Sequence, residues 1–86
     1  MRKTLGRENM TKTLDTFVVG QQGVVKIVNG ERKIKRRLFD MGITPGAHIM
    51  VRKLAPLGDP MEITIRGYEL TLRKVEAAFV TMEVTK

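Results

Sequence analysis

The sequence predicts a mainly β domain: a small closed barrel of about five short strands, with one inserted helix and a short helical turn. Three observations carry this. Apolar residues alternate at Ile49/Val51, Ile63/Ile65, Leu70/Leu72 and Val80/Met82/Val84, the period of a strand with one buried face. Glycine or proline separates most of these runs, at Pro45-Gly46, Gly58, Pro60 and Gly67. Only Glu31–Met41 has the i, i+4, i+7 spacing of an amphipathic helix, through Ile34, Leu38 and Met41. Short strands between tight turns suit a barrel, which leaves few open sheet edges.

Each element has a local reason. Residues 1–13 show no apolar period and are expected to form a flexible basic tail, leaving 14–86 as the domain. Leu14–Gly20 reads as a lead-in and Gly20-Gln-Gln-Gly23 as a turn. Gly23–Val28 is rich in β-branched residues, with Val25 and Ile27 expected on the inner face. Asn29-Gly30 is ordinarily a hairpin signal, but the charged, helix-period segment after it rules that out. Asn29 or Gly30 is instead placed near the helix N-cap. Gly42 stands where a helix ending at Met41 needs a left-handed residue. Lys74–Ala78 reads as a single helical turn before the last strand.

Composition narrows the chemistry. Eighty-six residues, 42% of them hydrophobic, suffice for one small core. There is no cysteine, so disulfides, thiolate metal sites and cysteine nucleophiles are excluded. There is also no serine, and His48 is the single histidine, which leaves no nucleophile–base pair. Asp59 and Glu62 are near in sequence but read as a turn residue and a solvent-facing residue rather than an acid/base pair. One histidine and scattered carboxylates supply no metal ligand set. Met41 and Met82 fit core periods, while Met50 and Met61 are expected at the surface near turns. A non-enzyme with no cofactor is expected. The basic amino terminus lacks the apolar stretch of a signal peptide, and no run approaches membrane-spanning length.

The net charge of +7 is concentrated: five basic residues fall within Arg32–Arg37. On the helical wheel Arg32, Lys35 and Arg36 point away from the apolar stripe, and Phe39 lands among them. Cations around one aromatic suit an electrostatic docking surface with an apolar anchor. A second candidate is Leu54-Ala-Pro-Leu57, where Leu54 and Leu57 flank a proline turn. Leu57 is expected to be partly exposed at the tip or to plug the barrel end.

Three segments, in this order and spacing, carry a family resemblance: Arg37-Leu-Phe-Asp-Met-Gly-Ile-Thr-Pro-Gly46, Leu54-Ala-Pro-Leu-Gly-Asp-Pro60 and Ile63-Thr-Ile-Arg-Gly-Tyr-Glu-Leu-Thr-Leu-Arg73. Together they resemble the FeoA family, small cytoplasmic SH3-like proteins that accompany the ferrous-iron transporter FeoB. The resemblance covers roughly Leu14 to Val84. It implies an SH3-like barrel with its helix between the first two strands, and a cytoplasmic accessory role in ferrous iron transport and iron homeostasis. The implied partner is a FeoB-type membrane transporter, through its cytoplasmic GTP-binding region, with transition-metal binding known at family level. The sequence departs in its longer basic tail, whose role the resemblance leaves open, weak contact with an anionic membrane surface included. The alternatives are a small basic nucleic-acid-binding barrel or an SH3-like transition-metal-binding regulatory module. Against the first, Phe17, Phe39, Tyr68 and Phe79 form no stacking pair on one predicted strand, so no specific nucleic acid is expected.

Because the predicted core is apolar throughout, folding should not require metal. Excess chelator should leave the thermal midpoint unchanged in a melting experiment. A drop of several degrees, restored by ferrous ion, would reveal a ligand set in the chain.

Overall fold

A computed structural model describes residues 10–86. Six strands form one antiparallel sheet: β1 (Thr11–Thr13), β2 (Gln22–Val28), β3 (His48–Leu54), β4 (Met61–Ile65), β5 (Tyr68–Leu72) and β6 (Val80–Val84). Two helices interrupt them, α1 (Arg32–Asp40) between β2 and β3 and α2 (Lys74–Ala77) between β5 and β6. The spatial order is β1-β6-β2-β3-β4-β5, so the last long strand sits beside the first. Among the described residues no helix is long and apolar enough to cross a membrane.

The sixth strand corrects the expected tail. Thr11–Thr13 pairs with Thr81–Glu83, and the Met10 carbonyl accepts a hydrogen bond from the Val84 N–H at 2.9 Å. A polar three-residue strand has no apolar period to read, and only the partner strand reveals it. The remainder of the expected tail, residues 1–9, lies outside the described residues.

Alternation places the core. Ile49 and Val51 on β3, Met61, Ile63 and Ile65 on β4, Leu72 on β5, and Val80 and Met82 on β6 are all buried. Leu14, Phe17, Leu38 and Ile43 join them from outside the sheet. Two expectations on β2 fail for local reasons. Its pairing with β6 slips between Val25 and Ile27, a bulge that inserts one extra residue and inverts the alternation. Val25 and Val28 therefore face inward, while Ile27 is 53% exposed. Gly23 is no turn residue but lies within the strand, where a Cβ would stand 2.6 Å from the Glu83 carbonyl oxygen. Bare backbone is what allows β2 and β6 to approach there. Met61 likewise proves buried rather than superficial, because strand β4 begins at that residue and not after it.

Helix α1 follows its predicted register: Leu38 is fully buried, and Ile34 and Met41 pack half-buried against the core. Its N-cap is Glu31, which makes no side-chain cap bond; Asn29 instead donates to the Thr81 hydroxyl at 3.3 Å. The C-terminus is more elaborate. Gly42 has φ +91°, its N–H donates to the Phe39 carbonyl, and the Ile43 N–H donates to the Leu38 carbonyl. This pair of bonds is a Schellman closure, with Ile43 buried behind it. The β4–β5 hairpin then reaches two carbonyls just beyond this turn. Tyr68 Oη donates to the Met41 carbonyl at 2.7 Å and Arg66 Nε to the Gly42 carbonyl at 3.2 Å.

Two variants test this packing. Leu38→Ala should cost about 2–5 kcal/mol in denaturant unfolding, since it empties a fully buried site. Gly42→Ala should cost about 1–3 kcal/mol from its left-handed backbone alone. It also places a methyl 2.5 Å from Tyr68 Oη. Adding Tyr68→Phe makes room, so the double variant should be less destabilised than the sum of the two single ones.

Candidate functional site

Five basic residues on a nine-residue helix repel one another, so α1 owes its stability to the stripe it buries rather than to local propensity. That stripe fixes which side chains face out. Arg32, Lys35, Arg36 and Phe39 recur at i, i+3, i+4 and i+7, and with Asp40 they line a single shallow, open depression. A neighbouring depression on the same helix is lined by Lys33, Arg36, Arg37, Asp40 and Met41. Phe39 is 45% exposed, a large aromatic surface left in water among cations. Among the described residues no carboxylate lies within ion-pair distance of Arg32, Lys33, Lys35 or Arg36.

Arg37 differs from its neighbours. Its Nε donates to Glu76 Oε2 at 2.6 Å, tying α1 to α2. The other Glu76 oxygen accepts from the Arg73 N–H at 3.0 Å, and Asp59 Oδ1 accepts from the Lys74 N–H at 2.9 Å. Two carboxylates thus satisfy the first N–H groups of α2 and hold it against the loop before β4. Asp59 caps this helix rather than only its own turn. Glu62 lies on β4 beside Arg52 Nη1 at 3.8 Å, so the two carboxylates do not converge on a common point.

The second candidate pair separates. Leu54 ends β3 and packs half-buried against the core, so it is part of the barrel. Leu57 is the reverse: it is 98% exposed and plugs nothing. Among the described residues no group of three or more histidine, cysteine or acidic side chains is placed to hold a metal ion. His48 is exposed at the start of β3, opposite Val24. The roles of Glu76 and Asp59 in holding α2 fall on none of the candidate site residues read from the sequence. Glu76, three residues after Arg73, is a signal of helix capping, but nothing in the sequence names its second partner across 39 positions.

Known proteins share this fold. The FeoA domain family matches residues 12–84. The Fe(2+) transport protein A/Fe(2+) transporter FeoB fusion protein of Porphyromonas gingivalis is 35% identical over 71 residues, which is 83% of this chain. The match spans only 8% of that much longer protein. The FeoA-like protein of Clostridium acetobutylicum superposes with a TM-score of 0.84 at 35% identity, covering 91% of each chain. The FeoA of Stenotrophomonas maltophilia, an SH3 domain protein solved with zinc, superposes with a TM-score of 0.70 at 26% identity, over 81% of this chain and 87% of that one. With the family model spanning nearly every described residue and a FeoA-like structure superposing closely on the fold, the chain belongs to the FeoA family.

Proposed function

We propose that this protein is a non-enzymatic, cytoplasmic accessory of ferrous iron transport that docks on a FeoB-type transporter through the outer face of α1. The observation carrying this reading is the depression in which Arg32, Lys35 and Arg36 surround the half-exposed Phe39. Cations steer an acidic partner and set its register, while a desolvated aromatic supplies most of the affinity. The Porphyromonas gingivalis relative supports the choice of partner, because there a FeoA-like segment and a FeoB transporter are one chain. Covalent linkage keeps two parts at high effective concentration, an arrangement suited to parts that touch. The transporter's cytoplasmic GTP-binding region is the proposed contact. Docking there would assist or regulate transport without this chain holding iron.

The test is binding to the intact transporter in neutral-lipid nanodiscs at physiological ionic strength. Replacing Arg32, Lys35 and Arg36 together by Glu should weaken binding at least ten-fold and leave the melting temperature within a degree or two, because all three side chains are exposed. Phe39→Ala should cost a further 1–2 kcal/mol or about that much. Mixed-sequence DNA or RNA should bind weakly and be lost as salt rises. Tight, sequence-dependent nucleic-acid binding, with a transporter interaction indifferent to charge reversal, would overturn the reading. Equal binding to transporter-free discs would overturn it as well.

A further inference from the structure

Every residue of α1 except Ile34 and Leu38 lines one or other of its two open depressions, which share Arg36 and Asp40. The helix therefore lies along the surface and offers its whole outer side at once. Glu31–Asp40 carries five basic and two acidic residues, a net +3 within a chain of +7. Of the five, only Arg37 has an ion-pair partner among the described residues.

The shape of this charge narrows what it can meet. A small anion is held by donors converging in a concave pocket, and these depressions are shallow and open. A nucleic-acid strand is held by aromatic platforms in series, and Phe39 is the single aromatic in either depression. A planar array of negative charge touches all the cations together. An anionic bilayer is such an array: basic groups near it add attraction one by one, and an aromatic side chain enters the interfacial layer. Phe39, 45% exposed among Arg32, Lys35 and Arg36, is where such an anchor belongs.

We propose that the outer face of α1 binds the anionic lipid headgroups of a bilayer, and that this binding excludes docking on the transporter. The proposal deepens the docking reading, on which the exclusion rests, because one face cannot lie on two surfaces together. Lipid composition around the transporter then sets how much of the protein is free to dock.

The full chain is first sedimented with vesicles of phosphatidylcholine, alone or with roughly one-third phosphatidylglycerol, at physiological salt. Wild type should bind the anionic vesicles about ten-fold or more tightly than the neutral ones, and reversing Arg32, Lys35 and Arg36 to Glu should remove the preference. Lys26, Lys53 and Lys86 are also exposed, and reversing them to Glu changes the net charge equally. That control should stay within about three-fold of wild type. The chain has no tryptophan, so the emission of Phe39→Trp reports on this position alone. It should move to shorter wavelength with anionic vesicles and stay fixed with neutral ones. Finally, the transporter in neutral-lipid nanodiscs is mixed with the protein and anionic vesicles, and the discs should not sediment with the vesicles.

Equal binding to both vesicle types, or the same loss from the control as from the α1 reversal, overturns the lipid site and leaves the docking reading intact. A fixed Phe39→Trp spectrum on bound vesicles overturns the anchor. Discs that sediment with the vesicles through the protein overturn the exclusion. If anionic vesicles bind but the transporter in neutral discs does not, the docking reading and the exclusion fall and the lipid site stands.

Discussion

The junction between the C-terminus of α1 and the β4–β5 hairpin is the constraint on which the proposed docking surface depends. A nine-residue helix crowded with like charges would not persist by itself. It persists because its apolar stripe is buried against the core, and its last turn is closed by Gly42 and tied down by Tyr68 and Arg66. The fit is close enough that a single methyl at Gly42 would collide with the Tyr68 hydroxyl. Arg66 reinforces the junction with a bond from Nη2 to the Thr44 hydroxyl at 2.7 Å. Helix orientation is thereby set by the sheet, and so is the direction in which Arg32, Lys35, Arg36 and Phe39 point.

Glu76 supplies a second restraint. It joins the capping of α2 to an ion pair with α1, using one carboxylate for two purposes. An exposed ion pair by itself contributes little, since both partners lose side-chain freedom and solvent screens the charge. Here Glu76 is half-buried and already ordered by its bond to the Arg73 N–H, which lowers the cost of meeting Arg37. The result is a link between the helix and the loop carrying Leu57, by way of α2 and the Asp59 bond to Lys74.

Division of labour follows from this arrangement. The barrel interior is wholly apolar among the described residues, with no buried polar or charged residue in the core. Basic groups are kept outside and cluster on α1. The apolar core holds the charged helix and the loop tip in place on its outside.

Period-two and period-3.6 apolar patterns were enough to read five strands, helix α1 and its buried stripe, because side-chain alternation follows directly from backbone geometry. The ordered motifs from Arg37 to Arg73 also carried the family, and the helical wheel placed Phe39 among the cations. What the sequence could not reveal depends on partners distant along the chain. Strand β1 exists only because β6 lies beside it, and the β2 bulge that turns Ile27 outward is visible only against its neighbour. The sequence puts Gly23 at the boundary of turn and strand, and its close approach to Glu83 inside the strand leaves no local trace. Likewise, Leu54 and Leu57 look alike in sequence. Tertiary structure alone buries the first against the barrel and holds the second in water, because strand β3 ends between them and only one of the two reaches the core.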